Sequence, residues 1–170
     1  MRLTTHSSRC RFAARLNSSV SLHRDIRGDS SMAKYRLVKQ LDEWGCGVAC
    51  VASLLGISYK KAKDSLVEIK GNEIDGKPYG LSLRALSKLI PSHIAIYKGV
   101  DDINRWPIGT IVFLSEESGQ YAGSGHYILK TPTGWMDPWA NSGNLPRQAK
   151  FRTRIPGNTT IQAALIPRVG

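Results

Sequence analysis

The chain has 170 residues and a net charge of +11, and apolar residues make up 41% of it and charged residues 22%. This length and balance are typical of one domain with a hydrophobic core. No segment approaches eighteen uninterrupted apolar residues, which excludes a transmembrane helix. The lysines and arginines are scattered, without a basic run or a basic-aromatic motif, so we expect no nucleic-acid partner.

Three cysteines occur, at positions 10, 46 and 50. This number is odd and too small for a disulfide framework, which favours a reducing compartment and a cytoplasmic location. Cys46 and Cys50 lie one helical turn apart, where Cβ atoms are about 5–6 Å from each other. That separation is too large for an undistorted disulfide.

Residues 1–31 differ in composition from the rest of the chain. They contain six Arg, no Lys, seven Ser and two acidic residues. They lack the apolar stretch of a secretory signal, and Asp25 and Asp29 argue against a transit peptide. Met32 offers an alternative start. We therefore expect 1–31 to be a disordered tail or a mis-assigned start, and 32–170 to form the domain.

The first half of this domain has helical patterns and the second half has strand patterns. Three helices are expected, at about 45–55, from the N-cap Ser58 onward, and from the N-cap Ser82 to Pro91. A turn-rich segment at 71–80 separates the second helix from the third. Five strands are expected, at 93–97, 110–114, 126–130, 135–137 and 160–166. Helices followed by strands predict an α+β fold, with a helical layer packed on an antiparallel sheet.

Cys46 stands where the first helix begins. A cysteine at this position faces the positive end of the helix dipole and unpaired N–H groups, which favour thiolate over thiol. Gln40, six residues upstream, supplies a neutral donor for the oxyanion that forms when a thiolate attacks a carbonyl. The alternative is a core cysteine, because Cys is among the most buried residue types. We assign Cys50, one turn deeper, to the core.

The surroundings of the four histidines differ in how strongly they indicate a catalytic role. His6 and His23 fall in the tail, and His93 precedes a strand without polar company. His126 stands in GSGHYILK, where small residues come before it and an apolar strand follows. If the next two strands form a hairpin around TPTG, His126 and Asp137 reach the same end of the sheet, and the carboxylate can orient the imidazole. A loop-bonding histidine and a turn-starting aspartate remain the alternatives.

Cys46, Cys50, His126 and Asp137 are also of the residue types that bind zinc. A second cysteine inside an apolar helix is poor geometry for a structural zinc site. We therefore expect neither a metal nor a cofactor.

Four further residues flank the proposed centre and are predicted to contact substrate: Trp44, Gly45, Tyr127 and Trp139. Aromatic residues in such positions are about as often packing residues.

The sequence resembles the papain-like cysteine peptidases, specifically the bacteriocin-processing C39 family. The resemblance covers about residues 36–140 and rests on Gln40, on DEWGCGVACVASLLG and GLSLRALSKL, on GHYILK and on WMDP. It implies a papain-like fold over 32–170, with an N-terminal helical subdomain packed on a C-terminal antiparallel sheet. It also implies four roles: Cys46 as nucleophile, His126 as general base and acid, Asp137 as the residue that orients the histidine, and Gln40 as oxyanion donor.

The resemblance further implies a peptidase that acts on a peptide or protein substrate. Many members are the N-terminal domain of an ABC transporter and cut after paired glycines. No transmembrane or nucleotide-binding pattern occurs here, so we expect a stand-alone domain whose contact with an exporter is transient. The same residues could instead support deamidation, transamidation or thioester hydrolysis, or the fold could be a catalytically silent peptide-binding module.

Overall fold

The computed structural model describes residues 33–70, 81–97, 100, 105–116, 122 and 125–168. The tail at 1–31 and the turn predicted at 71–80 lie outside the described residues. Within these residues, three helices come first: α1 (Cys46–Leu55), α2 (Tyr59–Lys70) and α3 (Leu83–Leu89). All three predicted helices are confirmed. None of the helices in the described part of the chain has the length and apolarity needed to cross a bilayer.

Six strands follow in the described part of the chain and form one sheet. They are β1 (His93–Ile96), β2 (Ile111–Ser115), β3 (His126–Thr131), β4 (Gly134–Asp137), β5 (Lys150–Arg152) and β6 (Thr160–Pro167). Their order in the sheet is β1-β6-β2-β3-β4-β5, and each neighbouring pair is antiparallel. The α+β prediction is confirmed, whereas β5 was missed by the sequence interpretation.

The helix ends carry the capping groups that the sequence indicated. The Ser82 hydroxyl accepts a hydrogen bond from the Ala85 N–H at 3.2 Å, and the Ser58 hydroxyl accepts one from the Lys61 N–H at 3.1 Å. These side chains satisfy backbone donors that the first turn of a helix leaves unpaired. Gly56 ends α1 with a left-handed φ of 67°, a conformation that glycine adopts at no steric cost.

The centre of the sheet is buried on both faces, and β3 runs through it. Tyr127 and Leu129 point into the larger core, which contains most of α1 and α3. Ile128 points into a smaller core on the opposite face, where it joins Trp135. This arrangement explains why β3 reads as a continuous apolar run rather than as an alternating pattern.

The β3–β4 hairpin brings two predicted site residues to one end of the sheet. Leu129 pairs with Met136 and Thr131 pairs with Gly134, so the predicted hairpin is confirmed. With this register, His126 at the start of β3 and Asp137 at the end of β4 lie beside each other.

The turn before α1 is fixed to both the sheet and α2. The Gln40 N–H donates to the Pro138 carbonyl at 3.2 Å, and the Gly45 N–H donates to the Asp42 carbonyl at 3.1 Å. The Tyr59 hydroxyl, at the start of α2, donates to Asp42 Oδ2 at 3.0 Å. A Cβ on Gly45 would overlap this hydroxyl, so the residue before Cys46 has no room for a side chain.

We predict that Gly45→Ala destabilises the protein by about 1–3 kcal/mol, the usual cost of overpacking a close contact. The backbone of Gly45, at φ −82° and ψ 4°, is one that alanine adopts, so the cost comes from the clash with Tyr59. Chemical denaturation measures the change in the free energy of unfolding. Gly157→Ala is the matched control, because a Cβ there meets no atom within 4 Å.

The double variant Gly45→Ala/Tyr59→Phe removes the clashing hydroxyl. It is expected to be more stable than the sum of the two single changes predicts. Strict additivity of the two changes would show that the clash is not the cause.

Candidate active site

His126 and Asp137 form a buried hydrogen-bonded pair. The imidazole Nε2 lies 2.9 Å from Asp137 Oδ1, and His126 and Asp137 are only 4% and 0% exposed. A carboxylate only accepts hydrogen bonds, so Nε2 is the donor. Nδ1 is therefore the ring nitrogen that is left for a second partner.

The buried Cys46 thiol is the other titratable group that interacts with His126. Hydrogen bonds with the His126 side chain and with the backbone of Tyr127 and Gly47 all act to lower the pKa of this thiol. Burial raises the pKa of the Cys46 thiol. The hydrogen bond and charge of His126, followed by the two N–H groups, outweigh burial, so the pKa lies below its ordinary value.

The imidazole responds in the opposite direction. Burial lowers the pKa of His126, but its hydrogen bonds with Asp137 and Cys46 and the charges of both partners raise that pKa to about 9. A lowered thiol pKa beside a raised imidazole pKa favours the thiolate–imidazolium pair at neutral pH. This pair is the form in which a cysteine is nucleophilic.

Cys50 has the opposite properties. It is completely buried in the larger core. Burial, followed by the negative charges of Cys46 and Asp137, raises the pKa of the Cys50 thiol well above its ordinary value. Cys50 is therefore a neutral packing residue.

Asp137 has further donors that the sequence interpretation missed. The Trp139 N–H donates to Oδ1 at 3.0 Å, and Arg152 Nε donates to Oδ2 at 2.6 Å. Arg152 Nη2 also donates to the Ala140 carbonyl at 2.9 Å. Arg152 lies in β5, a strand of three exposed or half-exposed residues without an alternating apolar pattern, so the sequence contained no signal that placed it beside Asp137.

Gln40 is buried in the turn that precedes α1. Its Nε2 donates to the carbonyl oxygens of Asp42 at 3.0 Å and Glu43 at 3.2 Å. Its Oε1 is buried and has no hydrogen-bond partner among the described residues. Nε2 has two hydrogens and already two acceptors, so donation to an oxyanion requires the turn to release one of them. The oxyanion role of Gln40 stays a prediction.

Two of the residues predicted to contact substrate are half-buried tryptophans, each beside a cation. Lys63 Nζ lies 5.0 Å from the ring centroid of Trp44, and Arg147 Cζ lies 4.7 Å from that of Trp139. The indole N–H of Trp139 donates to the Asn144 carbonyl at 3.2 Å. Both indoles are partly accessible, and their contact with substrate stays a prediction.

The other two predicted contact residues, Tyr127 and Gly45, are buried. The Tyr127 ring packs in the larger core, and its hydroxyl donates to the Leu81 carbonyl at 2.8 Å. Tyr127 therefore reaches Cys46 through its backbone N–H. Gly45 packs against Tyr59 and allows the turn to approach α2 closely.

His93 lies at the start of β1 and has polar company, contrary to the sequence interpretation. Its Nε2 lies 3.1 Å from the Gly109 carbonyl oxygen and its Nδ1 lies 3.1 Å from the Ser92 hydroxyl. These hydrogen bonds hold the imidazole in place, so His93 has a structural role in the sheet.

Among the residues that the structure describes, no group of three or more His, Cys, Asp or Glu side chains is arranged to hold a metal ion.

Comparisons of the chain with protein-family models, with curated proteins and with solved structures find no match. Function is therefore indicated by the short motifs and by the geometry around Cys46.

Proposed function

We propose that this chain is a papain-like thiol hydrolase and that it cleaves peptide bonds through an acyl-enzyme on Cys46. The observation that carries the proposal is the buried position of His126, which is hydrogen-bonded to Asp137 at 2.9 Å and whose hydrogen bond and charge lower the pKa of the buried Cys46 thiol. A nucleophile, a base and a residue that orients the base form the minimal arrangement for nucleophilic acyl transfer.

In the proposed reaction, the Cys46 thiolate attacks the carbonyl carbon of an amide and a C–S bond forms. The carbonyl oxygen becomes an oxyanion, which the helix-start N–H of Cys46 and Gln40 are proposed to bind. The His126 imidazolium gives its proton to the amine as the C–N bond breaks. Neutral His126 then takes a proton from water, the hydroxide attacks the thioester, and the C–S bond breaks to release the acid.

The start of α1 supports this chemistry. The first intrahelical bond runs from the Ala49 N–H to the Gly45 carbonyl at 3.0 Å. The N–H groups of the residues before Ala49 precede that bond, so they point out of the helix end. The helix dipole adds positive potential at the same place, which favours both the thiolate and an oxyanion.

The first prediction of the proposed function concerns the reactivity of the thiol. Alkylation of Cys46 by iodoacetamide, followed residue by residue with mass spectrometry, should stay rapid well below the usual thiol pKa of about 8.5. In His126→Ala the rate at pH 6 should fall by about a hundredfold or more, because an ordinary thiol is only about 0.3% ionised there.

Two controls accompany this measurement. Cys50 should stay unlabelled in the folded protein, because it is completely buried and its pKa is raised. His93→Gln should leave the labelling of Cys46 unchanged, since His93 contacts the sheet elsewhere. If Cys46 of the unaltered protein is labelled slowly, and its labelling rate rises only near the usual pKa, the hydrolase proposal is overturned. A peptide-binding module would then be favoured.

The second prediction concerns hydrolysis itself. The full chain, incubated with a proteome-derived peptide library in H₂¹⁸O, should produce new C-termini that carry ¹⁸O, whereas Cys46→Ala should produce none.

Cleavage should decline as pH rises through about 9, because His126 then loses the proton that it gives to the leaving amine. Alkylation should not decline there, since the thiolate persists. Conversion of amide side chains to acids without chain cleavage would instead identify a deamidase.

The third prediction tests Gln40. Acylation of Cys46 by p-nitrophenyl acetate builds an oxyanion, whereas alkylation by iodoacetamide does not. If Gln40 donates to the oxyanion, Gln40→Ala should slow acylation by about 10²–10³-fold and leave alkylation nearly unchanged. An equal loss in both rates would show that Gln40 acts by holding the turn through Asp42 and Glu43.

A further inference from the structure

We infer that Arg152 is a positioning residue of the Cys46 site. In this proposal Arg152 keeps the Asp137 carboxylate ionised and fixes its orientation, so that His126 can stabilise the Cys46 thiolate. The inference deepens the proposed hydrolase function and rests on it.

The contacts of the carboxylate support this assignment. Oδ1 accepts from His126 Nε2 and from the Trp139 N–H, which leaves Oδ2 as the oxygen that Arg152 Nε approaches at 2.6 Å. The side chain of Asp137 has no solvent exposure, whereas that of Arg152 is 20% exposed. The guanidinium therefore connects a carboxylate shielded from water to the protein surface.

The guanidinium is itself held at a second point. Its Nη2 donates to the Ala140 carbonyl at 2.9 Å, three residues after Asp137 in the chain. With Nε on the carboxylate and Nη2 on this carbonyl, the planar fork can take only a narrow range of orientations. Arg152 thus fixes both the charge and the direction of Oδ2, and with them the direction of Oδ1 toward His126.

Several charged groups lie around Asp137. His126 approaches from β3, and Cys46 and Cys50 of α1 interact with this region electrostatically. From β5, Lys150 pairs directly opposite Asp137 and is exposed to water, where its charge is screened. Arg152 is a permanently protonated group, and its Nε lies at hydrogen-bond distance from Oδ2.

The chemistry follows from the cost of a buried charge. An ionised carboxylate away from water is unfavourable unless opposite charge and donors compensate it. Without the guanidinium, Asp137 would be easier to protonate, and a protonated Asp137 is a poor acceptor for the imidazolium Nε2–H. The Cys46 thiolate would then lose its partner at a higher pH than in the unaltered protein.

The test is the pH profile of Cys46 alkylation by iodoacetamide, which needs no substrate. In Arg152→Gln the acid limb of the profile should move up by about one pH unit or more, within the 1–3 units that a nearby opposite charge contributes to a carboxyl group. At pH 8 the rate should approach that of the unaltered protein. Arg154→Gln is the matched control, since Arg154 is an exposed arginine two residues further on.

A second variant separates charge from geometry. Arg152→Lys keeps the positive charge but loses the fork that reaches both Asp137 and Ala140, so its acid limb should lie between those of Arg152→Gln and the unaltered protein. Circular dichroism establishes that each variant is folded. An unshifted acid limb in folded Arg152→Gln would overturn the role of Arg152 and leave the hydrolase proposal intact.

The remaining outcomes are also decisive. If both Arg152 variants unfold, the residue acts on the fold as a whole and the positioning role is wrong. If Cys46 of the unaltered protein shows an ordinary pH profile, the hydrolase proposal and the role of Arg152 fall together.

Discussion

The burial of the Asp137 carboxylate is the constraint on which the rest of the site depends. A carboxylate without solvent exposure is stable only when its oxygens are satisfied by donors and its charge is balanced. Three neighbouring parts of the chain supply those donors: β3 through His126, the turn after β4 through the Trp139 N–H, and β5 through Arg152. The register of the β3–β4–β5 edge and the geometry of the site therefore depend on each other.

Close packing at the start of α1 is the second constraint. A Cβ on Gly47 would lie 3.3 Å from the Tyr127 ring and 3.4 Å from Leu86. Gly45 likewise allows the turn before α1 to lie close to Tyr59. With both glycines, the end of α1 comes close enough to β3 for the backbone N–H of Tyr127 to reach the Cys46 sulfur. Gly45 and Gly47 thus allow the helix and the sheet to pack closely enough to surround the thiol with polar groups.

The parts of this structure that local signals specify could be predicted from the sequence. Ser58, Gly56 and Ser82 mark helix ends through their own chemistry, and the hairpin around TPTG fixes the proximity of His126 and Asp137. What could not be predicted depends on distant contacts. The strand β5 has three exposed or half-exposed residues and follows a twelve-residue segment after β4, so its pairing with β4 is a tertiary effect.

The hydrogen bonds of Gln40 could not be predicted from the sequence either. The path of the backbone decides whether the Gln40 amide faces a substrate or its own turn.

The difference between Cys46 and Cys50 illustrates how position on one helix determines chemistry. Both are buried cysteines on α1, and burial alone would raise the pKa of both thiols. Cys46 lies at the helix start, where Gly47 and Tyr127 supply N–H groups and His126 supplies a counter-charge. Cys50 lies one turn deeper, where the nearest charges are negative and burial is unopposed. A thiolate on Cys46 makes a second thiolate on Cys50 still less favourable, so activation of the first cysteine helps to keep the second one neutral.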